Sequence, residues 1–401
     1  MSAYWLDWLS LLTRWAHLVA GIAWIGASFY FVWLDNHLQP PGDPALADKG
    51  VAGELWAVHG GGFYNPQKYR LGPPQLPARL HWFYWEAYST WLTGVAMLVL
   101  VYFLNPAANL LDPARAAPTG AAGVAVALGF IVGGWLVYDG LCRSPLAQAD
   151  RVSGWMFNAV LALLLAQAAW ALCALFSGRG AFIVFGAMLG TMMVANVAMV
   201  IIPGQRRMVA AIAAGQPPDP LDARRGKQRS VHNTYFTLPV LMTMISHHHA
   251  GITQAGLNAL ALVLLAAGGA AIRHGFVLRQ RAQPYGRRPV LLALAAGLAM
   301  LATAAVLLQP LGKAAATGPA IDDAQALAIL AARCTGCHAG QPSFPGLTAA
   351  PNGVRLDSLA AAQARRAAIA AQLGGGAMPP GNVTGLSADE RTALLRWAQS
   401  P

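Results

Sequence analysis

Cys334, Cys337 and His338 stand in ARCTGCHAG with the C-x-x-C-H spacing that attaches a c-type haem. In such a motif two neighbouring thiols add to the vinyl groups, and the histidine fixed beside them supplies the proximal iron ligand. Further along, GGGAMPPGN offers Met378 as the second axial ligand, a soft thioether that raises a haem potential. The competing role for Met378 is that of a core methionine under a proline loop. The chain closes on LSADERTALLRWAQS, a helix with Ser387 as N-cap, Glu390 as its N3 partner and an apolar face of Leu394, Leu395 and Trp397. These features together describe a small cytochrome c domain. Its haem passes single electrons and selects no substrate, so the rest of the chain must supply the reductant.

A second set of reactive residues lies where the surrounding sequence is apolar. RWAHLVAG places Arg14 and His17 on one helical face, LHWFYWEAYSTW contains His81 and Glu86, and MISHHHAG ends an apolar run in His247, His248 and His249. Asp139, His232 and Asn196 interrupt other apolar stretches. Ionisable groups inside a membrane are costly and mark functional positions. By depth they divide into two groups: Arg14, His17 and His247–His249 on one side, and His81, Glu86, Asp139 and His232 on the other. For the first group, histidines facing each other across a bundle can hold the iron of a b-type haem; the alternative is a helix-to-helix hydrogen bond for His17 and wet, interfacial histidines at 247–249. Successive helical residues lie about 100° apart, so at most one or two of the three histidines face inward. For the second group, Glu86 suits a proton acceptor with His81 or His59 as partners, against simple interfacial anchoring. The loop LWAVHGGGFYNPQKY adds a glycine run at which backbone can approach a ligand, surrounded by His59, Tyr64, Asn65 and Lys68. No Gly-Lys-Ser/Thr pattern follows it, which excludes a P-loop.

The elements that must position these groups are membrane helices. The chain has 401 residues, 56% hydrophobic and 11% charged, with a net charge of +11. Its Lys and Arg collect in particular loops, as membrane topology requires, which argues against a nucleic-acid partner. Eight stretches approach the roughly 20 apolar residues that cross a bilayer, near 9–33, 82–104, 120–141, 154–176, 181–202, 234–250, 255–273 and 289–309. The first is too long for a signal peptide and lacks a cleavage site. The expected architecture is all-α: an eight-helix membrane oxidoreductase domain over 1–310, a small-residue linker over 311–322 and a cytochrome c domain over 323–401. The basic runs Arg206–Arg207, Arg224–Arg229 and Arg273–Arg288 fall in the predicted cytoplasmic loops, so both termini and the haem domain are expected in the periplasm of a bacterial inner-membrane protein. Cys142 and Cys173, in apolar segments, read as packing residues.

The strings RWAHLVAGIAWIGASFYF, HGGGFYNPQKY, LHWFYWEAYSTWLTG and HNTYFTLPVLMTMIS, with the C-terminal CTGCH, resemble the membrane-bound bacterial urate hydroxylases of the PuuD type over nearly the whole chain. The loop and second-helix strings are the specific part. The resemblance implies oxidation of urate to 5-hydroxyisourate in purine catabolism. The added oxygen comes from water, and the electrons leave through the fused haem c to a downstream cytochrome or terminal oxidase of the respiratory chain. The family pattern has Asn-His-aromatic at positions 247–249, which favours His248 among the three. Glu86 is then the expected base, with His59, His81 and Lys68 near the substrate and Tyr64 and Asn65 beside them. A membrane about 30 Å thick would separate that site from a periplasmic haem c, which makes a b haem near His17 and His248 attractive as intermediate carrier. Two other functions fit the same residues: a quinol or porphyrinogen oxidoreductase using a membrane haem, and an electron conduit whose substrate site lies on a partner.

Overall fold

The computed structural model describes residues 3–400 apart from 113–114, 117–118, 148–150, 281–285, 310–320, 346 and 348. Most of the expected linker lies outside the described residues. Eight long helices form the N-terminal part: α1 (Ala3–His37), α2 (Trp85–Leu98), α3 (Gly120–Arg143), α4 (Arg151–Leu175), α5 (Gly178–Ala195), α6 (Pro220–Ser246), α7 (Asn258–Gln280) and α8 (Arg287–Leu307). π-helical turns extend α2 over Val99–Phe103 and α5 over Asn196–Ile201, and the latter run continues helically to Ala213.

Seven of these are long and apolar enough to cross a membrane. The eighth, α6, departs from the expected span 234–250. It starts at Pro220, where the Asp219 carboxylate accepts the Leu221 N–H at 2.8 Å, and its first half carries Arg224, Arg225, Lys227 and Arg229. Only its second half, with Pro239 inside, is apolar, and it stops at Ser246. The basic run expected at 273–288 is also displaced: α7 continues to Gln280, so Arg273 lies inside a helix and is buried. Large apolar side chains such as Trp15 (66% exposed) and Leu292 (70% exposed) cover the outer faces. Such an apolar exterior suits hydrocarbon rather than water.

Close helix approach rests on small residues. A Cβ at Gly186 would sit 2.1 Å from Thr243 Oγ1 between α5 and α6, and one at Gly297 would sit 2.8 Å from the Gly268 carbonyl oxygen between α7 and α8. The α4–α5 turn is tightest. Ser177 caps α5 by accepting the Gly180 N–H at 3.1 Å, and a Cβ at Gly178 would lie 1.6 Å from the Thr253 carbonyl. The core runs through α3, α4 and α5, with Tyr138, Leu172, Phe182 and Met188 almost wholly buried.

The segment between α1 and α2 is not all-α. Two nested antiparallel ribbons occupy it: β1 (Val51–Glu54) pairs with β4 (Gln67–Tyr69), and β2 (Ala57–His59) pairs with β3 (Gly62–Tyr64) in the register Val58↔Phe63. Gly60 and Gly61, at φ of +58° and +82°, form the two-residue turn between β2 and β3, a conformation that mirrors the common turns and favours glycine at both positions.

The C-terminal module packs α9 (Asp323–Arg333), α10 (Arg366–Gly374) and α11 (Ala388–Gln399) around Leu330, Leu373, Leu394 and Trp397. The expected capping box of α11 is formed: Ser387 Oγ accepts the Glu390 N–H at 3.1 Å, and Glu390 accepts the Ser387 N–H at 2.8 Å. Trp397 ties α11 to α9 by donating to Asp323 at 2.7 Å.

Gly178→Ala is expected to destabilise the bundle strongly, since backbone rather than a side chain would have to yield; overpacking of this kind costs about 1–3 kcal/mol or more. Thermal unfolding in detergent measures it, and an unchanged midpoint would contradict the tight turn.

Candidate functional site

At the end of the bundle that carries Asp35, helices α1, α2, α5 with its extension, and α6 enclose a cavity of about 540 Å³, closed on one side by the segment from Leu71 to Phe83. Glu86, in the first turn of α2, lines it, and so does His81. One carboxylate oxygen of Glu86, Oε2, is buried with no hydrogen-bond partner. A buried, unpaired carboxylate oxygen is costly, and a ligand or a proton removes that cost. His81 is exposed and stands edge-on to Phe83, with ring centroids 4.8 Å apart.

The other expected members of this group are distributed differently. Lys68 donates to Asp35 at 2.6 Å, and Lys227 of α6 holds the other oxygen of the same carboxylate. Asp35 and Lys227 both line the cavity. One carboxylate therefore ties the β4 strand to α1 and α6 at the cavity rim. Sequence reading missed Asp35 and Lys227 because each sits among solvated helix-end residues and their pairing spans most of the membrane domain. Asn65 is spent on structure: it donates to Glu54 at 2.9 Å and to the Leu55 carbonyl at 3.3 Å, and accepts from Gln67 at 2.9 Å. His59 and Tyr64 are exposed on the β2–β3 ribbon and do not line the cavity. The glycine run at 60–62 forms the turn of this ribbon.

Behind the cavity runs a saturated polar network. Asn196 donates to Asn233 at 2.8 Å and to the Tyr138 hydroxyl at 3.0 Å, while its carbonyl oxygen accepts from Arg229 at 3.1 Å. Arg229 also donates to Asp139 at 2.6 Å, Asp139 in turn holds Arg143 at 2.6 Å, and the Tyr138 hydroxyl meets His232 Nδ1 at 2.8 Å. Asp139 and His232, grouped with Glu86 by depth, thus belong to a wall whose hydrogen bonds are satisfied internally. Arg273 differs: its guanidinium lies over the Phe29 ring at 3.9 Å, and its Nε and Nη2 have no partner.

His17 faces α2. Its Nδ1 lies 3.0 Å from the Thr90 carbonyl and 3.1 Å from Thr93 Oγ1, and a Cβ at Gly94 would come 3.0 Å from its ring. The carbonyl bond fixes the tautomer and leaves Nε2 as the free nitrogen, the arrangement that orients a ligating imidazole. Thr90 also donates to the Glu86 carbonyl at 2.6 Å, so Glu86 lies one helical turn along α2 from the carbonyl that His17 of α1 contacts. The three consecutive histidines stand beyond the end of α6, contrary to the helical spacing expected of them. His247 caps the helix, His248 N–H closes on the Ile245 carbonyl at 3.1 Å, and His249 begins the next short helix. In this turn the His247 and His248 rings lie 3.8 Å apart, with His248 exposed and His247 Nδ1 buried without a partner.

In the C-terminal module, Cys334 ends α9 and the chain turns so that the His338 N–H meets the Cys334 carbonyl at 2.8 Å. His338 Nδ1 lies 3.0 Å from the Val354 carbonyl, again leaving Nε2 free. Burial pushes the Cys334 thiol up to about 11 and the Cys337 thiol upward as well, so neither is an activated thiolate of the kind redox-active or nucleophilic cysteines need. Met378 lies on the loop after α10, where Arg391 of α11 donates to the Leu373 and Met378 carbonyls at 2.9 and 3.1 Å. Two thiols one turn apart, an oriented imidazole and a thioether on a pinned loop fit the donor set of a covalently attached haem. Cys142 and Cys173 are buried in the bundle, as packing residues.

Fold and site define a polytopic helical chain with a polar cavity at one end of an apolar bundle and a helical C-x-x-C-H module after it. The chain belongs to the urate oxidase N-terminal family, whose model matches residues 3–308. Comparison with curated proteins and with solved structures returned no match. The family makes the chain a urate-related protein with the character of an oxidoreductase.

Asp35→Asn is expected to loosen the ribbon segment by removing one partner of two lysines, each exposed pair being worth about 0.2–1 kcal/mol. Limited proteolysis between residues 38 and 81 should become several-fold faster; an unchanged cleavage rate would show that the ribbons hold without it.

Proposed function

We propose that the chain is a membrane-bound urate hydroxylase that oxidises urate to 5-hydroxyisourate with water as oxygen source and passes the electrons through a c-type haem to a downstream cytochrome or terminal oxidase. The observation that carries this reading is Glu86, with one carboxylate oxygen buried and unpartnered, as a lining residue of a cavity of about 540 Å³, within the size range of small-molecule sites, about 300–1,000 Å³, in a chain of the urate oxidase N-terminal family. In this reading the cavity opens in the cytoplasmic half of a bacterial inner membrane and both termini and the haem module are periplasmic, as the clustering of Lys and Arg in particular loops favours.

Urate and water give 5-hydroxyisourate, two protons and two electrons. Glu86, as a lining residue of the cavity, accepts a proton from a urate N–H or from the water that attacks C5. His81, at the cavity edge, is placed to relay that proton outward. Lys68 and Lys227, clamped by Asp35, give the rim a positive character that favours an anionic purine over neutral ones. The module holds its haem through Cys334, Cys337, His338 and Met378; when bound, that group is a one-electron acceptor of raised potential.

Glu86 and the outer loops are separated by nearly the whole of α2. Gly94, where the His17 ring packs, is eight residues from Glu86 within α2, about 12 Å at 1.5 Å per residue. His17, through its Nε2, would be the residue that holds a b-type haem, which would supply a one-electron carrier between the cavity and the module. His248, exposed in its turn, stands at the outer end as the remaining candidate in that group.

In Glu86→Gln, urate should no longer reduce the c haem anaerobically while the haem spectrum stays intact; near-normal reduction would sink the base assignment. His17→Ala should remove a b-type band from the reduced-minus-oxidised spectrum and leave the c-type band, and a wild-type spectrum that has no b-type band to lose would refute the second haem.

A further inference from the structure

The C-terminal module is seated on the bundle through the loop that carries Met378. A Cβ at Gly381 would lie 2.6 Å from the Leu111 carbonyl oxygen and within 4 Å of the Ala107 and Ala108 carbonyls, and a Cβ at Gly376 would lie 3.0 Å from the Gln254 Cβ. Both glycines have positive φ, +54° and +68°. The loop thus meets the bundle with two residues that carry no side chain, Gly381 against backbone and Gly376 against the Gln254 side chain. Such contact is closer than a transient encounter surface needs, and it leaves no space for a side chain or an intervening water layer at Gly381. Within the module the loop is not slack, because Arg391 holds the carbonyls on either side of it at 2.9 and 3.1 Å. On the bundle side, Gln254 ends the short helix Ala250–Thr253 that follows His247–His249 directly.

We propose that this contact is a fixed electron-transfer junction: the Met378 loop is the inward-facing side of the module, docked for turnover on Ala107–Leu111 and Gln254, and the Cys334–His338 side is left for the external acceptor. This rests on the haem and urate reading given above. Each turnover sends two electrons singly through the junction, and the external one-electron acceptor, a cytochrome or terminal oxidase, reoxidises the module between them. The module stays docked through the cycle.

A disulfide can test the docking, because the Cβ positions of residues 376 and 254 are close to the separation of about 3.5–4.5 Å that a disulfide spans. In the full-length holoprotein carrying Gly376→Cys and Gln254→Cys, the pair is expected to oxidise spontaneously, as read by peptide mapping. The locked protein should reduce its c haem with urate, and be reoxidised by soluble cytochrome c, at the same rates as the same variant with its disulfide reduced. Failure of the pair to form in a folded, haem-loaded protein overturns the docking. So does a locked protein that loses urate-driven reduction and regains it when the disulfide is reduced, since that result means a swinging module.

Because a cysteine at the left-handed Gly376 can itself disturb the loop, Gln254→Trp provides a second arm from the bundle side alone. It should slow urate-driven haem reduction about tenfold, the scale of a small misplacement at a reacting junction, while ascorbate reduces the haem at the wild-type rate and its midpoint potential is unchanged. A wild-type urate-driven rate in that variant overturns the junction. If urate reduces the haem in neither wild type nor variant, the urate reading fails by itself, and the disulfide still decides whether the module is docked.

Discussion

The amide of Asn196 holds the bundle together where the cavity needs a wall. It is wholly buried and bonds to three residues on two neighbouring helices: Tyr138 of α3, and Asn233 and Arg229 of α6. In a low-dielectric interior a polar side chain without partners is expensive, and a saturated one fixes the geometry of the groups around it. Asn196 also opens the π-helical turn of α5, so its side chain bonds where the backbone pattern changes. With Arg229 drawn to Asp139 and Asn233 to the Met193 carbonyl, the first half of α6 is held against α3 and α5 despite its charge.

Against that saturated wall, the polar groups left without partners are informative. Glu86 lines a cavity and keeps one carboxylate oxygen, Oε2, buried without a partner, whereas Asn65, Asp139 and His232 are consumed by internal bonds. A group's hydrogen-bond balance separates chemistry from architecture here better than its residue type does. The same criterion treats His17 and His338 alike: each has one ring nitrogen within 3.0 Å of a backbone carbonyl. That bond sets the tautomer and leaves the other nitrogen for a ligand.

Much of this was legible from sequence because it depends on local rules. Helix spans follow from apolar length, and the C-x-x-C-H module, the Ser387–Glu390 capping box and the packing roles of Cys142 and Cys173 follow from short-range pattern. Misreadings arose where one local pattern has two physical outcomes. The glycine run at 60–62 could cradle a ligand or turn a hairpin, and exposed β2 and β3 with positive φ at Gly60 and Gly61 decide for the hairpin. The apolar run before His247 could continue as helix through the histidines, but it ends at Ser246, whose hydroxyl folds back on the Thr243 carbonyl at 2.6 Å. Arg273 resembled a loop residue, and its helix continues past it.

By itself the sequence determined the membrane-length helices, the polar residues placed within them, the C-x-x-C-H motif of the C-terminal module and the resemblance to a urate-oxidising family. Tertiary structure alone decided which polar groups meet. Asp35 and Lys227, separated by 192 positions, share a carboxylate–ammonium contact with Lys68 at the cavity rim; His17 reaches Thr90 across 73 positions; and Gly381 rests on Leu111. Periodicity encodes the face that each helix turns outward. It does not encode which charged or hydrogen-bonding groups from distant elements come within 3 Å, because that depends on how closely glycine and alanine allow the helices to pack.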